Sequence, residues 1–247
     1  MTLVNVERIK LFTTRSPYWC LAAVFVAVLG FAVIFGSVDG GRQASTSVSQ
    51  LGFNLGLPIF MVLAALAVTT EYRFGTIRST FLAVPQRPKV LIAKTVLLAV
   101  LGGVVGVVGG LAAYSLTKTL AGDASTDLQL STGADYRIVL GHGVLLAVGA
   151  IIAVAVATMV RQSAGAIAIV LLWPFLAEQL FSLIPTIGPK VQPWLPFSAA
   201  NAFVSGGSTS PFGPTNGPTP IQGLLVFVGS AVVLWVLALV LLQRRDA

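Results

Sequence analysis

The sequence predicts an all-α polytopic membrane protein in which residues 1–247 form a single transmembrane domain. Of the 247 residues, 56% are hydrophobic and 9% are charged, whereas an average soluble domain is about 25% charged. The mean hydropathy is +0.92. A helix crosses a bilayer with roughly 20 apolar residues, and six apolar runs approach that length, at about 18–36, 51–69, 95–116, 138–160, 164–185 and 221–242.

The first apolar run follows a mixed N-terminal tail. Residues 2–14 mix apolar and charged side chains without a clean apolar stripe. A helix on the inner membrane surface and an ordinary cytoplasmic tail are therefore about equally compatible with this segment. The run from Tyr18 to Phe35 is longer than the apolar region of a usual signal peptide, so we interpret it as a retained anchor. Cys20 lies inside this run and is the sole cysteine, which excludes an intrachain disulfide.

A polar, basic segment from Glu71 to Lys89 separates the second span from the third. Phe74, Ile77 and Phe81 recur at helical spacing, which predicts a short helix with one apolar stripe. Pro85 is expected to end that helix. The pattern favours a contact surface for a cytosolic partner, and a solvated basic loop is the alternative.

The third span carries a stripe of small residues. Gly102, Gly106 and Gly110 stand four apart and therefore lie on one helical face. In lipid, such a stripe lets another helix approach closely. We predict tight helix packing at this face, with a hinge between transport states as the alternative. Lys94, just before the span, is expected to snorkel towards the lipid phosphates.

Polar residues punctuate the second half of the chain. Residues 117–137, which include Asp123, Asp127 and Asp135, are expected to form an outer loop. His142 lies close to the outer end of the fourth span. A lone histidine at such a place is more typical of a hydrogen-bonded interface than of a metal ligand or a proton relay.

The fifth apolar run contains Pro174, Glu178 and Gln179. Because a charged side chain inside a span rarely faces lipid tails, Glu178 and Gln179 are candidates for a cavity or an exit; a carboxylate that reaches the headgroups is the alternative. Residues 191–204 are apolar but too short to cross and contain prolines, which predicts a re-entrant or interfacial outer segment. Residues 205–220 are expected to form a flexible outer loop.

The distribution of basic residues predicts the orientation. With both termini and residues 71–94 in the cytosol, eleven of the 15 Lys and Arg residues lie inside. The remaining basic residues, Arg42, Lys118, Arg137 and Lys190, lie outside. This bias explains the net charge of +7 without a nucleic-acid partner.

The sequence offers no enzyme chemistry of its own. One cysteine and one histidine do not make a zinc cluster. None of the five lysines follows a glycine, so the phosphate-binding G-x-x-x-x-G-K-[ST] loop is absent. We therefore expect no catalytic residue, metal or cofactor in this chain, and we expect the energy for any uphill transport to come from another polypeptide.

Three motifs resemble the membrane subunit of a type-2 ABC exporter, in its small, six-span bacterial, often actinobacterial, form. The opening is similar to E-x-x-K-L-x-x-x-R-S-x-x-W, at Glu7, Lys10, Leu11, Arg15, Ser16 and Trp19. Residues 195–200 resemble the outer segment between the fifth and sixth spans. The third motif resembles the coupling segment, with Glu71, Arg73, Phe74, Gly75, Thr76, Ile77, Arg78 and Phe81 as its coupling residues.

The resemblance implies a subunit that pairs with an identical or homologous membrane subunit and docks two cytosolic ATPase subunits. ATP and Mg²⁺ would be bound by those ATPases, and a coupling helix at about residues 75–84 would transmit their movement. The implied activity is export of a hydrophobic or amphipathic cargo, such as a drug, peptide antibiotic or lipid, across a bacterial plasma membrane with both termini cytosolic. An ion-coupled secondary transporter and a non-transporting scaffold or sensor that anchors an ATPase are the alternatives.

Overall fold

The computed structural model describes most of the chain. Outside the described residues lie 1–2, 43, 85, 123–127, 186, 207–208, 211–212, 215–216 and 245–247. At 39, 78, 81, 209–210 and 213–214 only the backbone is described. Four predictions fall wholly or partly on these positions: the stop at Pro85, the placement of Asp123 and Asp127, the side-chain contacts of Arg78 and Phe81, and the flexible outer loop at 205–220.

The described chain is helical in nearly all of its ordered elements. The first half contains α1 (Leu3–Thr13), α2 (Ser16–Ser37), α3 (Thr46–Ser49), α4 (Phe53–Arg73), α5 (Thr76–Ala83) and α6 (Arg87–Ala121). The second half contains α7 (Gly133–Val160), α8 (Ser163–Leu172), α9 (Glu178–Ser182), α10 (Gly188–Val191), α11 (Pro196–Ser205) and α12 (Pro220–Arg244). Two short antiparallel strands, β1 (Thr209–Ser210) and β2 (Gly213–Pro214), pair between α11 and α12.

Within the described residues, six helical segments are long and apolar enough to cross a membrane. They are α2, α3 with α4, α6, α7, α8 with α9, and α12. This result confirms the predicted all-α class, its six helical segments match the number of predicted spans, and it indicates a multi-pass membrane protein. The helices that precede and follow the predicted outer loop at 117–137 are longer than expected, since α6 continues to Ala121 and α7 begins at Gly133.

Local sequence explains where several helices begin or bend. Thr132 accepts a hydrogen bond from the backbone N–H of Asp135, whose carboxylate accepts the backbone N–H of Thr132 in return, so a capping box begins α7. A π-helical turn at Trp173–Ala177 joins α8 to α9. Pro174 lies in this turn, where it has no N–H to donate to the regular ladder.

Helix α7 lies at the centre of the bundle. It packs against α6, α4 and α12, and α11 packs against both α7 and α12. Sixteen residues of α7 are buried, from Val139 to Thr158. The lateral helices α2, α8 and α12 bury much less of their surface, as expected for helices whose apolar side chains face lipid.

Two hydrogen bonds define one end of the bundle. Lys10 of α1 bonds to Thr80 of α5, and the Arg87 side chain at the start of α6 donates to the carbonyl oxygen of Leu242 in α12. We call this the terminal end, because α1 and the last turns of α12 lie there. The end that carries α3, α10 and α11 is the opposite end.

Candidate functional site

The short helix α5 projects from the terminal end after a sharp turn. Gly75 adopts a left-handed backbone conformation, with φ of +71°, and this conformation favours glycine. This turn separates α4 from α5. Phe74 is 72% exposed and Leu82 is 85% exposed, whereas Ile77 is 7% exposed.

These exposures change the interpretation of the apolar stripe. The pattern placed Ile77 on the partner-facing side, but its side chain packs within this chain and is not available to a partner. The exposed apolar groups near α5 are Phe74 and Leu82, with the exposed Arg73 beside Phe74. The side chains of Arg78 and Phe81 lie outside the described residues.

Behind α5, four charged side chains form an ion cluster, defined by Glu7, Lys10, Glu71 and Lys94. Glu7, Glu71 and Lys94 are buried, whereas the Lys10 side chain is 37% exposed. Glu7 binds Lys10 at 3.0 Å through Oε1 and binds Lys94 through Oε2. Oε1 of Glu71 lies 3.0 Å from Lys94 and 3.3 Å from Lys10. Two positive and two negative groups thus alternate, which joins α1, α4 and α6.

Lys94 is therefore not a snorkelling residue. Its side chain is 8% exposed, and it donates to Glu7, to Glu71 and to the carbonyl oxygen of Ala67. A buried carboxylate pair supplies more favourable partners than the headgroup region, so the predicted reach towards lipid phosphates was wrong. The hydroxyl of Thr80 accepts the remaining bond from Lys10, at 3.1 Å.

The cluster changes the ionisation of the two α1 side chains. Burial raises the pKa of Glu7, but the charge of Lys94 and hydrogen bonds from both lysines outweigh burial and lower the pKa overall. Burial lowers the pKa of Lys10, but bonds and charges from Glu7 and Glu71 raise it overall. The lowered pKa of Glu7 stabilises the fold at pH values above the ordinary pKa of a glutamate side chain. The raised pKa of Lys10 stabilises the fold at pH values below the ordinary pKa of a lysine side chain. Both contributions are therefore present near neutral pH.

A cavity of about 620 Å³ lies beside this cluster, between α1, α4, α5 and α6. Glu7, Lys10, Glu71 and Lys94 all line it, and so does the exposed Phe74. Leucine side chains form its apolar part. The predicted coupling segment thus lies next to an amphipathic cavity, which no sequence pattern indicates.

The glycine stripe of α6 faces α7. A Cβ at Gly106 would lie 2.5 Å from the carbonyl oxygen of His142 and 2.6 Å from Cα of Gly143. A Cβ at Gly102 would lie 2.8 Å from the carbonyl oxygen of Leu146, and one at Gly110 would collide with the backbone of Val139. The stripe is therefore a backbone contact within this chain, which is the tight packing predicted.

Glu178 lies at the opposite end and is 1% exposed. Its carboxylate accepts hydrogen bonds from the backbone N–H of Phe197 at 2.9 Å and of Ser198 at 2.7 Å, and from the Ser198 hydroxyl at 2.8 Å. It thereby caps α11, whose N-terminus favours a negative charge. Such burial is inconsistent with a carboxylate that reaches the headgroups. Glu178 and the exposed Gln179 also line a second cavity, of about 250 Å³.

His142 lines the same second cavity. Its Nδ1 lies 2.9 Å from the carbonyl oxygen of Ile138, and its ring stacks on Phe53 with centroids 4.2 Å apart. These contacts confirm a hydrogen-bonded residue at a helix interface. Among the described residues, no three His, Cys, Asp or Glu side chains come close enough to hold a metal ion.

We predict that Glu178→Gln destabilises the cap of α11. Glutamine keeps one acceptor oxygen but turns an NH₂ group towards the N–H groups of Phe197 and Ser198. A buried donor then loses its partner, which costs about 1–3 kcal/mol. Thermal unfolding in detergent should show a lower midpoint for Glu178→Gln, while Gln179→Ala, at an exposed neighbouring position, should unfold like the parent. An unchanged midpoint for Glu178→Gln would show that the cap adds no stability.

Three residues of the terminal end were missed or undervalued by sequence reasoning. Glu7 and Lys10 entered only as letters of a motif, although their spacing of three residues on a helix is a signal for an ion pair. Leu82 was not singled out, because it falls outside the stripe of Phe74 and Ile77.

Comparison with known proteins adds no relative. No model of a known protein family matches this chain, and no curated protein is significantly similar to it.

Proposed function

We propose that this chain is the membrane-spanning subunit of an ATP-driven exporter for a hydrophobic or amphipathic cargo. In this proposal the chain supplies the transmembrane pathway, and a separate ATPase of the ABC class binds ATP and Mg²⁺. Two such ATPases and a second membrane subunit, identical or homologous, complete the complex. It resides in a bacterial plasma membrane with both termini and α5 in the cytosol, and α10 and α11 form its re-entrant or interfacial outer segment.

The observation that carries the proposal is the mechanical connection of α5 to the bundle. The Thr80 hydroxyl accepts from Lys10, and Lys10 also binds Glu71. Glu71 in turn binds Lys94. A displacement of α5 is therefore transmitted by charged contacts to α1, α4 and α6, three elements that a solvated loop would leave unaffected.

The exposed side of this connection suits a protein partner. Phe74 and Leu82 are among the most exposed large apolar side chains of the described chain, and both lie where a cytosolic protein would reach them. An exposed arginine, Arg73, lies next to Phe74. Aromatic and arginine side chains dominate the binding energy of protein interfaces, so an acidic, apolar groove on the ATPase is the complementary surface.

We expect that Phe74→Asp and Leu82→Asp each reduce binding of the ATPase about tenfold or more, since loss of an interface anchor costs about 2 kcal/mol. The measurement is co-purification of the tagged chain with an ATPase from a neighbouring reading frame that carries a Walker A motif. Lys89→Ala changes an exposed residue beyond α5 and serves as the matched control.

Reconstitution distinguishes the exporter from its alternatives. Cargo-stimulated ATP hydrolysis in proteoliposomes that is lost in Phe74→Asp supports the exporter. Transport that requires a proton gradient and no ATPase indicates a secondary transporter. ATPase binding without any cargo-stimulated hydrolysis indicates a scaffold, and equal binding by all three variants overturns the role of α5.

A further inference from the structure

The second cavity, at the opposite end, contains a buried side chain with one polar atom that has no partner. His142 is 7% exposed, and its ring lines this cavity. Its Nδ1 lies 2.9 Å from the carbonyl oxygen of Ile138, whereas Nε2 has no hydrogen-bond partner among the described residues. Nε2 is also not among the unpartnered atoms that the fold covers completely. It therefore keeps accessible surface, and this surface faces the cavity.

The contact with Ile138 determines what Nε2 can do. A carbonyl oxygen only accepts hydrogen bonds, so Nδ1 carries a proton. The ion pairs of the described residues join lysines to glutamates, and none of them includes the imidazole. Because a buried charge without a partner is costly, the imidazole is neutral and its Nε2 is an acceptor. The cavity thus presents a free lone pair to a hydrogen-bond donor.

The walls around this lone pair are largely aromatic. Phe53, whose ring stacks on His142 with centroids 4.2 Å apart, lines the cavity together with Phe175 and Phe197. Aromatic rings pack well against other rings in offset or edge-to-face contacts. The cavity volume is about 250 Å³, and an engineered apolar cavity of about 150 Å³ in another protein holds benzene. The second cavity therefore has room for one aromatic ring with a substituent.

The charges at this cavity favour a neutral ligand. Glu178 lines the cavity, and no lysine or arginine of the described residues does, so an anion would be repelled. A cation would find no free carboxylate oxygen, because Glu178 is 1% exposed and both of its oxygens accept hydrogen bonds from the start of α11. A neutral aromatic ring with one strong donor satisfies all of these conditions.

We propose that the second cavity binds a neutral phenol, whose hydroxyl donates to Nε2 of His142 and whose ring packs against the phenylalanines. Asn54, Gln179 and Asn201 line the cavity and are exposed, so they mark its open side. Their amides both donate and accept hydrogen bonds, which suits a second polar group at the far edge of the ring. The site lies within one chain and does not rest on the proposed export function.

The test uses the fact that the chain has one histidine, so that ¹⁵N-histidine labelling reports on His142 alone. The full-length chain, purified through a streptavidin-binding tag and placed in phosphatidylcholine nanodiscs, should show a protonated Nδ1 and an unprotonated Nε2. Saturating para-fluorophenol should shift the Nε2 resonance towards that of a hydrogen-bonded acceptor. The donor-free analogue para-fluorotoluene should not. A protonated Nε2 in the free chain, an Nε2 resonance that para-fluorophenol leaves unmoved, or equal shifts with both compounds would overturn the proposal.

Affinities measure the contribution of the hydroxyl group. Fluorine NMR in the same nanodiscs, corrected with empty nanodiscs, should show para-fluorotoluene binding about fivefold more weakly than para-fluorophenol, because the bond to Nε2 is absent. His142→Leu should weaken para-fluorophenol binding about fivefold and leave para-fluorotoluene binding nearly unchanged. Asn5→Leu, at an exposed position of α1, is the control and should bind both compounds like the parent.

Two results of these affinity measurements would contradict the site. An equal loss of both compounds in His142→Leu would show that the histidine only shapes the cavity. Equal affinities of the two compounds for the parent chain would show that no hydrogen bond forms, and this comparison holds even if His142→Leu fails to fold.

Two sources share the phenol chemistry: a free phenol and a membrane lipid with a phenolic head group. If para-dodecylphenol shifts the Nε2 resonance as para-fluorophenol does, the open side admits an alkyl chain and the occupant is lipid-borne. If only para-fluorophenol shifts it, the occupant is a free phenol, and either result supports the site. Because no ATPase is present, failure of this test leaves the exporter proposal standing, and a failed ATPase assay leaves the phenol site standing.

Discussion

Gly106→Leu is expected to prevent stable packing of α6 against α7. The space that its Cβ would need is occupied by backbone atoms, the carbonyl oxygen of His142 at 2.5 Å and Cα of Gly143 at 2.6 Å. Backbone cannot rotate aside as a side chain does, so the two central helices must separate along their length. In lipid, this close packing is the main source of helix association.

Gly103, which neighbours the stripe but does not belong to it, provides the control. Outside its own helix, a Cβ at Gly103 would have its nearest contact at an ordinary 3.9 Å, with the carbonyl oxygen of Gly143. We therefore expect Gly106→Ala to cost about 1–3 kcal/mol, as overpacking does, and Gly103→Ala to leave stability nearly unchanged. Thermal unfolding and monodispersity in detergent measure both. Equal melting of Gly106→Ala and Gly103→Ala would show that α6 moves away from α7 at no cost.

The contact between α6 and α7 was only partly predictable from the sequence. The spacing of Gly102, Gly106 and Gly110 shows that they share one helical face, and the need for close approach in lipid shows what such a face does. The identity of the partner helix is not encoded in the stripe. The partner is α7 because α7 lies at the centre of the bundle. Gly143 of α7 also has no side chain, which lets the two backbones meet.

The number of spans was predictable for a physical reason, and their ends were not. An apolar run must be about as long as the bilayer is thick, so hydropathy detects each crossing. A helix that continues into water is marked by caps rather than by hydropathy. The start of α7 is an example, because the signal there is Thr132 followed three residues later by Asp135.

At the candidate site, too, the sequence predicted a helix but not the contacts of its side chains. A period of 3.6 residues identifies a helix after Glu71 but does not say whether its apolar side faces a partner or its own chain, so Ile77 was assigned to the wrong surface. The partner of Lys94 was beyond prediction for a different reason. Glu7 lies 87 residues away in the chain, and only the tertiary fold brings the two together.

Lys94→Met is expected to destabilise the terminal end by about 3–5 kcal/mol, the cost of breaking a buried ion pair from one side. Methionine has a similar shape but no charge, so it leaves Glu7 Oε2 and the carbonyl oxygen of Ala67 without donors. Lys10 then faces two carboxylates alone. Because the ion pair of Glu7 with Lys94 joins α1 to α6, we expect α1 to detach before the bundle unfolds.

Cysteine labelling measures this detachment. In a Cys20→Ala background, a cysteine at the buried position Leu11 should react slowly with maleimide in the parent and at least about tenfold faster in Lys94→Met, since each 1.4 kcal/mol is worth a factor of ten in the open population when opening limits access. Lys89→Met, which removes an exposed charge from the same helix, should react like the parent. Glu7→Gln combined with Lys94→Met should recover part of the protection, because no buried carboxylate of α1 is then left unpaired. Equal labelling rates in Lys94→Met and Lys89→Met would mean that the ion cluster does not hold α1 to the bundle.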